Sequence, residues 1–266
     1  MELVYNDDNH QVDKMSFFSK IWTKIKCKWT KIRLQPIRVF CFHHVSDEYD
    51  PLTMWECDWT STSMFMQSIE NLRRHGYVFI SLQQAQSHLK NDWFRFKKYA
   101  VLTADDGYKS LKNILPWLEK EKIPITLFIN AHYMDGKSWS IQQEEQSKRV
   151  QPGVDMLALA SQIYLSYEEI AAFTSPLVSI ASHGYDHSDA TKQTISEFKY
   201  NVSACVKLLE LHPCYIPYHA FTWGRATKET VSLLQTMQLT PVFCSSADNY
   251  NNPDIIDRKA IDGKQL

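Results

Sequence analysis

The sequence predicts an α/β protein in which helices cover a parallel sheet. From about residue 37 onward, short apolar runs alternate with helical patterns, and this alternation is typical of a parallel sheet. The 266 residues are 44% hydrophobic and 22% charged, a composition that buries a core without needing disulfides. Seven strand–helix units indicate either a barrel or an open wound sheet, and both place the active site at the carboxyl ends of the strands.

Each predicted element follows from a local pattern. Predicted strands cover residues 37–45, 78–82, 99–103, 125–130, 178–182, 215–221 and 241–245. Predicted helices cover residues 61–75, 83–90, 108–122, 166–173, 194–211 and 227–237. Gly76 ends the first helix, and Ser166 with Glu169 predicts a capping box at the fourth. Residues 131–165 show no regular pattern, which is typical of a functional loop, a lid or a surface insertion.

We expect residues 36–266 to form a single domain. Residues 1–35 differ from it in composition and charge. No acidic residue occurs from Lys14 to Ser46, and the lysines of residues 14–34 alternate with apolar residues at helical spacing. Such a basic amphipathic helix can lie on an anionic membrane surface; the alternative is a helix packed on the domain with a solvated lysine face. No apolar run reaches the ~18 residues of a membrane span, and the polar first residues do not resemble a secretory signal. We therefore expect a cytoplasmic protein, with peripheral contact at the inner membrane face as a second expectation.

Composition excludes several classes of protein. The seven glycines are too widely spaced for the glycine-rich motifs of dinucleotide sites and P-loops, and no GxSxG nucleophile motif is present. A net charge of -1 argues against a nucleic-acid partner. The six cysteines form no CxxC pair, so free, mostly buried thiols are expected rather than a zinc ribbon or disulfides.

Four polar clusters follow predicted strands: His43 with His44, residues 103–107 (TADDG), residues 182–187 (SHGYDH) and residues 219–225 (HAFTWGR). His183 and His187 are four residues apart, so one helical turn would bring both imidazoles to the same side; the alternative is two surface histidines on a loop. The two adjacent aspartates of TADDG would stand at a strand end, where each negative charge disfavours ionisation of the other. A bound divalent cation would offset this repulsion. Two histidines and one aspartate give three ligands and leave a position open for water, as in catalytic metal sites.

These motifs resemble those of the polysaccharide deacetylases, the NodB-homology or carbohydrate esterase family 4 group. TADDG, with the helix and strand after it, is similar to that family's TFDDG motif, and SHGYDH is similar to its histidine metal motif. The start, CFHHV, is similar to that of the poly-N-acetylglucosamine deacetylase branch, and the resemblance runs from about residue 39 to 258. It implies a distorted (β/α)7-type barrel as a single, bacterial catalytic domain over residues 36–266.

The resemblance also implies roles for particular residues. Asp105 would be the catalytic base and His43 the general acid, while Asp106, His183 and His187 would bind one divalent metal ion. Zinc is the default, although such ligands also accept cobalt, nickel or iron. Water activated by this metal would attack the amide carbonyl.

The fourth cluster supplies candidate substrate-binding residues and departs from the family pattern. Phe221, Trp223, Arg225 and Arg258 are the candidate substrate-binding residues. A backbone N–H near residues 221–223 would stabilise the oxyanion, and Trp223 would stack on a sugar face or belong to the core or rim. The arginine that orients the catalytic aspartate in other branches has no clear match, so Arg225 and Arg258 are both candidates. Ala104 replaces an aromatic residue, and Thr222 replaces a proline.

The leading hypothesis is a metal-dependent hydrolase of carbon–nitrogen bonds that removes an N-acetyl group from an amino-sugar glycan or glycan precursor. The alternatives are a deformylase or O-acetyl esterase on the same scaffold, and a carbohydrate-binding module without activity. The sequence does not determine the sugar or the oligomeric state.

Overall fold

Parallel strands dominate the structure, a computed structural model that describes residues 35–92, 95–148, 150, 152–249 and 251–261. The strands are β1 (Ile37–Phe42), β2 (His44–Val45), β3 (Trp59–Thr60), β4 (Tyr77–Phe79), β5 (Lys98–Ala104), β6 (Ile125–Ile129), β7 (Val178–Ser182), β8 (Tyr215–Ala220), β9 (Thr240–Val242) and β10 (Lys259–Ala260). Every pairing between these strands is parallel. All seven predicted strands are therefore present, at somewhat different bounds. The first, predicted over residues 37–45, is interrupted at His43, and its last two residues form β2 in a separate two-stranded sheet.

The main sheet has the order β10-β1-β5-β6-β7-β8-β9, and β4 also pairs with β5. One edge of β5 pairs with β1 from Tyr99 to Ala104. The other edge is shared, because β4 pairs with residues 98–100 and β6 with residues 102–104. This shared edge distorts the barrel, so the predicted distorted (β/α) barrel is confirmed.

The segment from Ile256 to Ala260 bridges the two sides of the barrel. Ile256 forms a parallel bridge with Val242 of β9, and three residues later the chain pairs with β1 as β10. Arg258 lies between these two attachments, and its side chain is buried. The closure of the barrel therefore carries an arginine into the interior.

Eight helices are present in the described part of the chain. They are α1 (Thr62–Arg74), α2 (Leu82–Asn91), α3 (Leu115–Lys120), α4 (Ile141–Ser147), α5 (Met156–Ile163), α6 (Tyr167–Ala171), α7 (Ile195–Leu209) and α8 (Lys228–Thr236). Four of them begin with a capping box, including the predicted box of Ser166 and Glu169. None is long and apolar enough to cross a membrane.

One predicted helix differs in part from the structure, and a segment expected to be irregular contains two helices. The predicted helix 108–122 is a 3-10 helix, Lys109–Asn113, followed by α3 with Pro116 in its first turn. Proline lacks the N–H that would bond the Lys112 carbonyl, so it starts a new helix rather than continuing the old one. Residues 131–165 contain α4 and α5, which are too short to show a clear helical period of apolar residues in the sequence. The predicted amphipathic helix of residues 14–34 lies outside the described residues.

Side chains of the strands alternate between two cores. Val39, Val101 and Phe128 belong to an inner cluster of the barrel. Their neighbours, such as Phe40 and Leu102, pack outward against Phe65, Ile69 and Leu111 of the surrounding shell, and burying each such side chain contributes about 1.5–3 kcal/mol. Because the inward positions of β1 and β5 are odd-numbered, the same alternation turns residues 41, 43, 103 and 105 toward the barrel axis.

Candidate active site

A cavity of about 600 Å³ opens at the carboxyl ends of the strands. Its wall includes His43 after β1, Asp105 and Asp106 after β5, and His183 after β7. Two backbone bonds, from Asp105 N–H to Phe42 O and from His183 N–H to Ile129 O, extend the strand ladders to these residues. The sheet itself therefore fixes the positions of the polar side chains.

Asp106, His183 and His187 converge on one point of this cavity. The Nε2 atoms of His183 and His187 lie 3.4 and 3.2 Å from Oδ1 of Asp106, and the three residues offer ligand atoms within 4.8 Å of one another. Asp106 has φ 66° and His187 has φ 61°, a left-handed conformation that costs non-glycine residues about 1–3 kcal/mol and often occurs at functional sites.

The predicted helical turn between the two histidines is absent. Residues 183–189 form a loop in which Gly184 has φ 84° and the Tyr185 N–H donates to Oδ1 of Asn201 at 2.8 Å. Ser182 Oγ accepts from the Gly184 N–H and lies 3.0 Å from Nδ1 of His219. The loop therefore places both imidazoles on Asp106, although no helix is involved.

The hydrogen bonds of His183 show that this cluster suits a cation. Nδ1 lies 2.8 Å from the Ala220 carbonyl oxygen, which can only accept, so Nδ1 carries the proton and Nε2 of the neutral ring presents a lone pair. Burial lowers the pKa of His183 and so favours this neutral form. Oδ1 of Asp106 is buried without a hydrogen-bond donor. Lone pairs that face each other in a buried site fit a metal ion between them.

Asp105 belongs to a different network from Asp106. Arg258 donates from Nη1 to Oδ1 at 2.6 Å and from Nη2 to Oδ2 at 2.8 Å, and the Cys41 thiol donates to Oδ2 at 3.3 Å. Burial opposes ionisation of Asp105, but the charge of Arg258 outweighs it, with smaller contributions from His183 and His43, and lowers the pKa to about 2. Burial also opposes ionisation of Asp106, yet His187 and His183 hold its pKa well below the ordinary range. Both aspartates are therefore carboxylates.

Of the two candidate arginines, Arg258 contacts Asp105, whereas Arg225 contacts a different residue. Arg225 pairs with Asp189 at 3.1 Å and lies over the Trp223 ring. Arg225 does not line the cavity, whereas Arg258 does. Arg258 is 1% exposed and holds Asp105 through both terminal nitrogens, so of the two arginines it is the one that orients Asp105.

His43, which follows β1, and His44, the first residue of β2, lie in different environments. His43 lines the cavity, where Cys41, His43 and Asp105 offer atoms within 4.8 Å of one another. His44 instead stacks on Tyr108 at 3.6 Å between ring centroids, and its Nδ1 lies 3.2 Å from Ser110 Oγ. Burial, with a smaller contribution from His43, lowers the pKa of His44 to about 3, so His44 is a neutral packing residue.

Phe221, Trp223 and Gly224 form part of the rim of the cavity. Phe221 is buried against Phe243 and lines the wall. Trp223 is 49% exposed, has φ 52°, and its ring centroid lies 4.9 Å from that of His187. The cavity thus has an exposed aromatic face next to the candidate metal ligands.

Several residues of the cavity were not predicted from the sequence. Cys41 precedes His43 by two residues on β1, so strand alternation could have identified it. Cys244, Trp55, Cys57, Asp58 and Glu145 also line the cavity, but they lie in loops, a 3-10 helix or α4, and no motif marks them. The sequence therefore predicts the cavity residues that belong to its motifs and misses those that no motif marks.

A parallel barrel with paired carboxylates and two histidines at its strand ends is typical of a hydrolase. The family model for polysaccharide deacetylase matches residues 95–242, and the chain belongs to this family. Membership confirms the resemblance found in the sequence and the enzyme class, a hydrolase of carbon–nitrogen bonds other than peptide bonds. No curated protein matches the chain.

Solved structures from several bacteria share this fold. IcaB from Ammonifex degensii is 22% identical, with TM-score 0.64, over 85% of this chain and 91% of that one. Streptococcus pyogenes deacetylase PplD, in complex with acetate, is 16% identical, with TM-score 0.66, over 86% and 93%. The putative polysaccharide deacetylase BA0330 from Bacillus anthracis is 15% identical, with TM-score 0.63, over 85% of this chain and 65% of that chain. These likenesses show the shared fold.

Proposed function

We propose that this chain is a metal-dependent de-N-acetylase of an amino-sugar glycan or glycan precursor. The observation that carries the proposal is the cluster of Asp106, His183 and His187, whose facing lone pairs fit one divalent ion. A second carboxylate, Asp105, lies beside this cluster, 3.8 Å from Nε2 of His183. A hydrolase that uses water needs both a place to polarise the amide and a base nearby.

Asp106, His183 and His187 would hold the ion, with zinc as the default and cobalt, nickel or iron as alternatives for this nitrogen and oxygen donor set. When bound, a divalent ion acts as a Lewis acid toward water and toward the acetamide carbonyl oxygen. His183 supplies its Nε2 lone pair because Nδ1 is fixed on the Ala220 carbonyl. This outer hydrogen bond also fixes the orientation of the ring.

Asp105 is placed to accept the proton of the attacking water. Its low pKa keeps it ionised at all pH values above about 2, and Arg258 fixes its orientation through two hydrogen bonds. His43, in the same cluster of atoms within 4.8 Å, is placed to donate a proton to the leaving nitrogen. The C–N bond then breaks, and the products are acetate and the free amino sugar.

The cavity supports a sugar substrate. Its volume of about 600 Å³ lies within the range of ligand pockets, roughly 300–1,000 Å³. Trp223 offers an exposed aromatic face at the rim, and such faces stack on flat apolar surfaces. The similarity to the de-N-acetylase from Aggregatibacter actinomycetemcomitans, 15% identical with TM-score 0.59, adds support for N-acetyl chemistry.

The test compares the wild type with the adjacent variants Asp105→Asn and Asp106→Asn. Both variants should lose about 10²- to 10⁴-fold in turnover of N-acetylglucosamine oligomers, measured as acetate release. Elemental mass spectrometry should find about one equivalent of metal in the wild type and in Asp105→Asn, and little in Asp106→Asn. Full activity of Asp105→Asn would refute its role as base.

Parallel assays with N-formyl and O-acetyl sugars separate the alternative substrates. A faster reaction on either would replace the N-acetyl assignment while keeping the site. A metal-loaded wild type that binds these oligomers and cleaves none of the three substrates would favour a binding module without activity.

A further inference from the structure

The loop that carries His183 and His187 is hydrogen-bonded along one whole side by a single short segment of the chain. Because the loop is neither helix nor strand, its backbone groups must find their partners elsewhere. The carbonyl groups of residues 183–186 all accept hydrogen bonds, and the donors belong to residues 130–133. These donors follow β6 directly and lie at the start of residues 131–165, for which the sequence predicts a functional loop, a lid or a surface insertion.

Asn130 holds the first half of the loop. Its Nδ2 donates to the carbonyl oxygens of His183 at 2.7 Å and of Gly184 at 3.4 Å. Both acceptors are carbonyl oxygens, so the amide must turn its nitrogen toward the loop. Asn130 is 1% exposed, and the His183 N–H donates to the Ile129 carbonyl. The backbone of this candidate ligand is therefore held on both sides by buried groups at the end of β6.

Tyr133 holds the second half of the loop. The His132 N–H donates to the Tyr185 carbonyl at 2.8 Å, and the Tyr133 hydroxyl donates to the Asp186 carbonyl at 2.9 Å. Asp186 immediately precedes His187. The hydroxyl of Tyr133 therefore fixes the backbone next to the second histidine ligand.

A column of stacked tyrosines fixes Tyr133 in turn. Its ring stacks on Tyr164 with 4.7 Å between the ring centroids, and Tyr164 stacks on Tyr108 with 5.3 Å. All three rings are buried. Tyr108 follows Asp106 by two residues, so the column connects the strand end of Asp106 with the loop of the two histidines. Stacked aromatic pairs have a preferred separation, and the column therefore sets the spacing between the two segments that carry the candidate ligands.

We propose that Asn130 and Tyr133 are positioning residues that set the shape of loop 183–187 and thereby its affinity for the divalent ion. Neither side chain lines the cavity, so both act through the backbone of the ligands. Outer hydrogen-bond partners of metal ligands typically change metal affinity by about 10- to 100-fold. The effect on affinity rests on the proposed function, in which His183 and His187 are metal ligands.

The test measures the zinc affinity of the purified full chain by competition with a chelator of known affinity. Tyr133→Phe removes only the hydroxyl and keeps the ring in the column, so it should fold and bind zinc about 10- to 100-fold more weakly than the wild type. Tyr218→Phe is the matched control, because Tyr218 is also buried and its hydroxyl donates to Oε1 of Gln86 at 2.6 Å. Tyr218 does not line the cavity, and its variant should bind zinc as the wild type does.

Thermal denaturation with and without zinc separates positioning from a merely structural role. Without zinc, the two phenylalanine variants should lose similar stability, because each loses one hydroxyl hydrogen bond. Zinc should raise the melting temperature of the wild type and of Tyr218→Phe equally, and that of Tyr133→Phe by less. Asn130→Ala is a second variant that removes the donor to two carbonyls, and it should also bind zinc about 10- to 100-fold more weakly.

Wild-type zinc affinity in Tyr133→Phe and in folded Asn130→Ala would overturn the proposal and leave the metal site in place. An equal loss of zinc affinity in Tyr218→Phe would also overturn it, because the effect would then follow from any lost hydroxyl. Failure of the proposed function would instead appear as a wild type that binds zinc and releases no acetate, with the weaker zinc binding of the two positioning variants unchanged.

Discussion

Arg258 and Asp105 are 153 residues apart in the chain, and their side chains share two hydrogen bonds of 2.6 and 2.8 Å inside the barrel. The segment that closes the barrel brings the arginine to the carboxyl end of β5. Both side chains are buried, so neither charge is stable there without the other. The segment that closes the barrel therefore also supplies the positive charge that keeps the proposed base, Asp105, ionised.

Arg258→Met should raise the pKa of Asp105, because burial then acts without a compensating charge. The base works only when ionised, so the acid limb of the kcat/KM profile should move to higher pH. Arg258→Lys, which keeps the charge, should show a smaller shift. Arg225→Met is the matched control, since Arg225 pairs with Asp189. An unchanged acid limb in Arg258→Met would contradict the role of this arginine.

The same pair predicts how stability depends on pH. The pKa of Asp105 in the folded protein, about 2, lies below its ordinary value of 3.8. A lowered pKa of an acid stabilises the folded state above the ordinary value, and this contribution is lost as pH falls from about 4 to about 2. In Arg258→Met the buried carboxylate is unpaired, so the free energy of unfolding at neutral pH should fall by about 3–5 kcal/mol. Chemical denaturation at several pH values measures both effects.

The sequence predicted the strand-borne part of this site because strands impose a period of two. That period places Asp105 inward at the end of β5 and separates His43 from His44. Arg258 could not be assigned, because no local pattern shows that residues 256–260 return to bridge β9 and β1. For a related reason, the spacing of His183 and His187 predicts a helical turn where the structure has a loop. Spacing alone does not reveal that the backbones of Gly184 and His187 have left-handed conformations.

His43→Ala and His44→Ala form a matched pair of adjacent histidines. His43 lines the cavity, so its loss should lower kcat by about 10²- to 10⁴-fold with little change in melting temperature. His44 stacks on Tyr108 and is buried, so its loss should lower the free energy of unfolding by about 1–3 kcal/mol and leave kcat within roughly tenfold. Steady-state kinetics and thermal denaturation separate the two effects. If His43→Ala retained wild-type kcat, another group would have to be the acid.

Gly184→Ala and Gly76→Ala test how the loop holds the metal ligands. Both glycines have positive φ, 84° and 80°, so either alanine incurs about 1–3 kcal/mol of backbone strain. A Cβ on Gly76 would meet open space, whereas one on Gly184 would lie 2.8 Å from Oδ1 of Asn201. That oxygen accepts the Tyr185 N–H, so the clash should shift His183 and His187. Gly184→Ala should therefore lose metal affinity in addition to stability, and equal metal affinity in the two variants would show that Asn201 does not position the loop.

Trp223→Gly separates a sugar-binding role from a structural one. Trp223 has φ 52°, so glycine relieves backbone strain and the melting temperature should stay level or rise slightly. The exposed ring is lost, however, and aromatic stacking of about 0.5–1.5 kcal/mol corresponds to a rise in KM of roughly 2- to 10-fold. Trp223→Tyr keeps an aromatic face and should recover most of the affinity. A fall in stability with an unchanged KM would instead mean that the tryptophan supports the rim through its contacts with His187 and Arg225.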